Sequence, residues 1–210
     1  MNSGYPVILQ LAGKIVVVVG GGKVAERKVI GLLGTGAEVI VISPETTSGI
    51  QQLDCESKIV WKQKSFSASD LEDAFMIFAA TNNQQINQLV RNSAAAHQLV
   101  TIADDPEGSN FHVPAHFQRG LLSIAVSTGG ASPSLAKQIR DQLEQQFDDS
   151  YEGYLDFLFS KRQWILQKVQ NPSLKRKLLT TIVSSEFLTS VNREQDFIRL
   201  YETLLKETTE

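Results

Sequence analysis

The sequence predicts an α/β fold, a parallel sheet with helices on both faces that gives way to a helical C-terminal region. Three observations predict it. Short apolar runs alternate with helical stretches as far as Ala103, the spacing of strands joined by crossover helices. The first run, Ile15–Val19, goes straight into Gly20-Gly21-Gly22 and a helix, which is how a Rossmann-type domain begins. From Ser132-Pro133 onward the chain carries helix starts and helix breaks and no further strand-like run.

Each element has its own reason. Ile15–Val19 is unbroken by polar residues, so it reads as a strand covered on both faces. A helix is expected from about Val24 to Leu33, stopped by Gly34-Thr35-Gly36. Val39–Ile42 is the second strand and ends at Ser43-Pro44, where proline removes a backbone donor. Ile59–Lys62 is a short third strand, and Ser69-Asp70 starts a short helix. Met76–Ala80 is a fourth, buried strand. Thr81-Asn82-Asn83 closes it and caps a helix expected over Gln84–His97, with His97 set against the C-terminal dipole. Leu99–Ala103 is the fifth strand, ended by Asp104-Asp105-Pro106. Phe111–Ala115 and Leu121–Val126 are strand-like, with a turn at Arg119-Gly120 between them, and are expected to pair as a hairpin. Thr128–Ala131 is a loop, and Ser132 caps a helix with Pro133 at its first position. Asn171-Pro172 and Val191-Asn192 break the remainder into at least three further helices.

Bulk properties exclude several classes. Hydrophobic residues make up 42% and charged residues 20% of the 210 residues, an ordinary globular composition. The formal net charge is -3 without a basic tail, which argues against non-specific nucleic-acid binding. The single cysteine, Cys55, cannot form an internal disulfide, which fits a reducing cytoplasm. Met1–Gln10 lacks the charged start and long apolar core of a signal peptide, and no apolar run approaches a membrane span.

The glycine turn carries the first chemistry. Gly20-x-Gly22-x-x-Ala25 has the form in which the first glycine permits the tight turn and the second admits the pyrophosphate. The third small residue keeps helix and strand close. Backbone N–H groups at the helix start then face the phosphates. Glu45, beyond the second strand, stands near the position from which an acid holds the adenosine ribose. The segment Ser43–Gly49 contains no arginine to receive a 2′-phosphate, so NAD is expected over NADP.

Around this turn the chain resembles the precorrin-2 dehydrogenase family, the NAD-dependent enzymes of siroheme synthesis. The resemblance is carried by Gly20-Gly21-Gly22-Lys23-Val24-Ala25-Glu26-Arg27-Lys28, Ala79-Ala80-Thr81-Asn82 and Asp104-Asp105-Pro106. Asn110-Phe111-His112-Val113-Pro114-Ala115 and Ala125-Val126-Ser127-Thr128-Gly129-Gly130-Ala131-Ser132-Pro133 complete it. Thr101 is a departure, standing where relatives often carry asparagine. The resemblance implies an NAD-binding Rossmann-type domain over 1–112, a dimerisation and substrate-binding segment over 113–147, and a helical domain over 148–210. It implies a cytoplasmic homodimer of the stand-alone form, without a fused methyltransferase. It also implies the reaction: precorrin-2 loses a hydride to NAD and a proton to the medium.

Carried over residue by residue, Gly20, Gly21, Gly22, Lys23 and Val24 line the pyrophosphate, Pro44 and Glu45 lie by the adenosine, and Thr81 lies on the nicotinamide side. Asp104 is the general base, at the strand end where open α/β sheets bind ligands, and Asp105 shapes the turn before Pro106. An acidic tetrapyrrole needs donors, and Asn110, Ser127, Thr128, Gly129 and Gly130 are the candidates, with Arg119, Lys137 and Arg140 as added charge. His112 and His116 stand at helical metal-ligand spacing, but Pro114 between them argues against a helix and no cysteine cluster supports zinc, so no metal is expected. Two other readings stand beside the dehydrogenase: a bifunctional dehydrogenase and ferrochelatase, and a non-catalytic NAD sensor.

Overall fold

The computed structural model describes residues 4–103 and 105–207. The chain divides into two units, Gly4–Val113 and the chain from Pro114 onward.

The first unit is built on five parallel strands: β1 (Ile15–Val19), β2 (Glu38–Ile42), β3 (Val60–Lys62), β4 (Met76–Ala79) and β5 (Leu99–Ile102). Their order across the sheet is β3-β2-β1-β4-β5, with β1 in the centre. That position explains the all-apolar sequence of β1. Val16 and Val18 face one core with Ala25, Val29, Ile50 and Phe78, while Val17 and Val19 face the other with Leu71, Ile77, Val90 and Ile102. Each fully buried Val or Ile contributes about 1.5–3 kcal/mol of transfer free energy, so the two faces of β1 and β4 anchor this unit.

Helices α1 (Lys23–Leu32) and α2 (Ser48–Cys55) cover the first face through Ala25, Val29 and Ile50. The second face takes a single 3-10 turn, Ala68–Leu71, and α3 (Gln84–Ser93) through Leu71 and Val90. Helix α2 is not foreseen in the sequence. Thr47 caps it by accepting from the Ile50 N–H at 3.4 Å, but Ile50 is its one fully covered side chain, so no apolar stripe announces it. Helix α3 ends at Ser93, short of the expected His97, which lies in the turn that follows. The cause is Gln98, which is 3% exposed. Its Nε2 donates to the Leu71 and Ala74 carbonyls at 2.5 and 2.7 Å, and its Oε1 accepts from the Ala95 N–H at 2.8 Å. Drawing that amide inward forces the chain out of the helix.

The second unit opens with a hairpin, β6 (Ala115–Arg119) and β7 (Leu122–Val126), with Arg119 paired to Leu122. The expected first strand, Phe111–Ala115, does not form. Pro114 lacks the N–H a ladder needs, and Phe111 packs edge-on against Phe78 at 5.6 Å in the first unit's core. Helix α4 (Pro133–Gln146) packs on this hairpin. Then come α5 (Ser150–Lys168), α6 (Pro172–Thr181), α7 (Ser185–Thr189) and α8 (Arg193–Glu207). They close around Phe157, Ile165, Leu178, Phe187 and Phe197. Tyr154 is buried with them and satisfies its hydroxyl by donating to the Ile182 carbonyl at 2.9 Å while accepting from the Ser184 N–H at 3.1 Å. Ser132 caps α4 by accepting from the Leu135 N–H, as the sequence predicts, and at the expected break Asn171 caps α6.

Gln98 gives a direct test. Gln98→Ala leaves the Ala74 carbonyl and the Ala95 N–H in a buried site without that partner and is expected to destabilise the protein by about 2–4 kcal/mol, measured as a lower urea midpoint with an unchanged slope.

Candidate functional site

The site is assembled where β1, β2 and β4 end. Gly20 takes φ +125°, a left-handed value that glycine alone adopts easily, and its N–H donates to the Ile42 carbonyl at 2.9 Å. A Cβ here would stand 2.3 Å from the Ala80 carbonyl oxygen. Gly21 is held just as closely on the other side. A Cβ on it would meet the Glu45 carbonyl oxygen at 1.9 Å and Ser43 Oγ at 2.8 Å. Gly22 differs from both: nothing lies within 4 Å of the Cβ it lacks. It is the extended N-cap residue of α1 (φ −84°), and no side chain caps that helix. The α1 start thus presents uncapped N–H groups to an open space, the arrangement in which a phosphate is favoured by hydrogen bonding and by the helix dipole.

The residues around this cradle divide into partnered and open groups. Lys23 is highly exposed and its ammonium pairs with Glu26 at 2.9 Å. The Lys23 ammonium and then the Thr47 hydroxyl hold the Glu26 carboxyl below the usual range. Glu26 reaches the start of α2, where a Cβ on Gly49 would stand 2.1 Å from its Oε1, so it ties α1 to α2. Val24, Pro44 and Glu45 are exposed. The loop holding Pro44 and Glu45 is fixed by Ser43, whose Oγ donates to the Glu45 carbonyl at 2.7 Å and whose own carbonyl accepts from Trp61 Nε1 at 2.9 Å. Thr46 Oγ1 is buried in that loop without a hydrogen-bond partner among the described residues. The open cradle at Gly22 and this orphaned hydroxyl fit a bound dinucleotide.

Thr81 follows β4 beside Gly20. Its hydroxyl lies 2.7 Å from Asn87 Oδ1 and 3.0 Å from the Asn83 carbonyl, and Asn87 Nδ2 donates to the Thr81 carbonyl at 3.0 Å. Asn87, 3% exposed on the inner face of α3, therefore sets the end of β4. Sequence reasoning passes over it. The available signal is an amide one residue from Ile86 on an otherwise apolar helix face.

At the end of β5 the ladder continues one residue, with Ala103 N–H donating to the Ala79 carbonyl at 2.9 Å. Asp104 follows and lies outside the described residues. Asp105 shapes the turn: its Oδ1 accepts from the Gly108 N–H at 2.8 Å, its carbonyl accepts from Ser109 Oγ at 2.8 Å, and Arg91 lies 3.6 Å from its carboxylate. Asn110, a substrate-binding candidate from sequence, has a structural task. Its Oδ1 accepts from the Val100 N–H at 2.8 Å and its Nδ2 donates to the Gln98 carbonyl at 2.9 Å, which covers the outer edge of β5.

In the second unit, the Ser127–Gly130 loop follows β7 and leads into α4. Thr128 Oγ1 donates to the Ser132 carbonyl and accepts from the Ser132 N–H, at 3.0 and 3.1 Å, and Ser127 Oγ accepts from the Gly129 N–H at 3.2 Å. Gly129 and Gly130 take φ +61° and +87°. Arg119 is already neutralised by Asp149 at 2.9 Å and Glu144 at 3.4 Å, and Arg140 by Asp141 at 2.5 Å. Lys137 is exposed. Among the described residues no cluster of three or more His, Cys, Asp or Glu side chains is placed to hold a metal.

The half-Rossmann sheet order and the glycine turn on an uncapped helix define a dinucleotide-binding α/β protein. Residues 7–115 match the family described as "Putative NAD(P)-binding", residues 119–146 the one described as sirohaem biosynthesis protein central, and residues 151–197 the SirC C-terminal domain. The chain is 36% identical over 198 residues to the precorrin-2 dehydrogenase of Priestia megaterium, covering 94% of this chain and 98% of that one. It is 32% identical over 158 residues to the precorrin-2 dehydrogenase of Bacillus subtilis (strain 168), covering 75% and 98%. Against the siroheme synthase of Xylella fastidiosa (strain M12) it is 39% identical over 183 residues, 86% of this chain but 38% of that protein. The solved structure of SirC, a precorrin-2 dehydrogenase, superposes with a TM-score of 0.82 at 36% identity, covering 95% of this chain and all (100%) of that one. The chain belongs to the precorrin-2 dehydrogenase family.

Two neighbouring glycines separate packing from ligand binding. Gly21→Ala is expected to destabilise the fold by about 1–3 kcal/mol, the range for a forced backbone shift. Gly22→Ala meets no protein atom and is expected to change stability by less than about 1 kcal/mol, while its NAD dissociation constant rises at least about tenfold. Thermal unfolding and NADH fluorescence titration of both variants check this.

Proposed function

We propose that this protein oxidises precorrin-2 to sirohydrochlorin with NAD, in siroheme biosynthesis. The observation that supports it best is the cradle at Gly22 in a chain matched over nearly its whole length by precorrin-2 dehydrogenases. In the proposed reaction a C–H bond of the macrocycle breaks, its hydride passes to NAD, and a proton leaves the macrocycle. NAD, when bound, supplies the hydride acceptor. The chain's part is to hold the dinucleotide at Gly20, Gly21, Gly22, Lys23 and Val24, with Pro44 and Glu45 at its adenosine side and Thr81 toward the nicotinamide. Glu45 leaves an exposed carboxylate where a 2′-phosphate would be repelled, which favours NAD over NADP.

Asp104 is the proton acceptor in this reading. In sequence it comes directly after Ala103, whose N–H closes the β4–β5 ladder at the C-terminal edge of the sheet. The turn-shaping work in this segment is done by Asp105. Ser127, Thr128, Gly129 and Gly130 are the substrate loop. The loop's internal hydrogen bonds pre-shape it, and the Gly130 N–H and the α4 start supply its donors. Asn110 enters as the brace of β5.

The division into 1–112, 113–147 and 148–210 and a cytoplasmic homodimer complete the reading. The hairpin β6–β7 is a two-stranded sheet with α4 packed on it, and among the described residues no further strand lies along its edges, which leaves them open to cover. Its second protomer is expected to provide that cover. Among the described residues no helix is long and apolar enough to cross a membrane.

Turnover of precorrin-2 with NAD, followed by the absorbance of sirohydrochlorin, tests the activity. A protein that binds NAD and leaves precorrin-2 unchanged would sink the proposal. Asp104→Asn is expected to lower kcat by about 10²–10⁴, the contribution of a general base, with the NADH dissociation constant unchanged. Full activity in that variant would remove Asp104 from the chemistry.

A further inference from the structure

Among the described residues Lys28 has no ion-pair partner, and it lines a cavity. It stands on α1, and its ammonium lies 5.6 Å from the centroid of the Phe78 ring. Partial burial, and then the like charge of Arg27, push its pKa below the ordinary lysine value. Two other cations discussed for this chain have carboxylate partners: Lys23 has Glu26, and Arg119 has Glu144 and Asp149. None of the ion pairs among the described residues includes Lys28. An ammonium drawn partly out of water without a counter-ion is costly. An aromatic face offsets only part of that cost.

The same side chain lines a cavity of about 170 Å³ at the C-terminal ends of β4 and β5. The polar side chains of its lining are Lys28, Thr101 and His112, and its apolar wall includes Phe78 and Pro106. No described lining residue is acidic. The backbone of Ala80, which passes beside Gly20, forms part of the rim, so the cavity shares the sheet edge that carries the glycine turn. Its volume is far below that of a tetrapyrrole macrocycle but suits one carboxylate side arm with a water or two. A partly desolvated ammonium, two further side chains able to donate, Thr101 and His112, and this size describe a receptor for a single carboxylate.

We infer that this cavity is a subsite for one acetate or propionate arm of the tetrapyrrole, with Lys28 as its counter-ion. The inference rests on the substrate class proposed above. Lys28 is a binding and positioning residue here: it takes neither hydride nor proton. Thr101, where relatives often have asparagine, places a hydroxyl in the same lining.

The experiment uses the full chain as wild type, Lys28→Met and Lys28→Arg. Uroporphyrin, a stable polycarboxylate tetrapyrrole, is titrated by fluorescence, NADH by its own fluorescence, and precorrin-2 turnover with NAD gives KM and kcat. Lys28→Met is expected to weaken uroporphyrin and raise KM for precorrin-2 by about tenfold or more, the loss of a charged hydrogen bond, with NADH affinity and kcat little changed. Lys28→Arg is expected to recover most of the loss. In wild type, uroporphyrin and not NADH is expected to shield Lys28 from acetic anhydride, read by mass spectrometry, a result that does not depend on how the variants fold. Unchanged uroporphyrin binding in Lys28→Met, no shielding of Lys28, or a parallel loss of NADH affinity would overturn the subsite. Wild type that fails to oxidise precorrin-2 would instead overturn the proposed activity, while uroporphyrin binding and shielding still report on Lys28.

Discussion

The structure of the first unit depends on one close approach. The turn after β1 passes between two carbonyl groups, that of Ala80 after β4 and that of Glu45 after β2, with no room for a Cβ on either side. Three strand ends are thereby drawn to one point. The N-terminus of α1 is delivered there with its N–H groups uncapped, and the third glycine faces open space. Were the turn bulkier, β2 and β4 would be pushed away from β1 and the phosphate cradle would open. Packing and ligand binding are thus adjacent but carried by different glycines.

Beyond the strand ends, amide side chains replace the ladder. Asn87 braces Thr81, Gln98 satisfies three backbone groups around the start of β5, and Asn110 covers that strand's outer edge. Each stands where an N–H or carbonyl would otherwise be buried without a partner, and such a group costs about 1–3 kcal/mol. This bracing keeps the β4 and β5 ends in place without charge. The formal charges nearby are spent in pairs, Lys23 with Glu26 and Arg91 with Asp105. Against that background the Gly22 opening and the Lys28 ammonium stand out as without a partner among the described residues.

The second unit follows a different rule. Its helices close on aromatic contacts, Phe157 stacked on Phe187 and Trp164 edge-on to Phe197, with the Tyr154 hydroxyl joining the end of α6 to the start of α7. In the Ser127–Gly130 loop, the hydroxyls are committed to the loop itself, which fixes the path into α4. A rigid loop of this kind offers backbone donors more than side chains.

What the sequence alone determined is local. Strands β1 and β4 were legible because burial on both faces leaves an unbroken apolar run, and the caps Asn83 and Ser132 because a side-chain oxygen before a helix can accept from its free N–H groups. The glycine turn was legible because its spacing is itself the constraint. Tertiary structure decided what depends on residues distant in the chain. Helix α2 is set by one buried isoleucine at the sheet face, the end of α3 by the burial of Gln98, and the start of the hairpin by Pro114 and by Phe111 reaching Phe78. In the site, spacing could not distinguish Gly21 from Gly22, show that Asn110 braces β5, or find Lys28. Those outcomes rest on which carbonyl, strand edge or ring stands within a few ångströms. Short-range patterns encode an element's own dihedrals and faces, and do not encode the neighbour that another part of the chain brings.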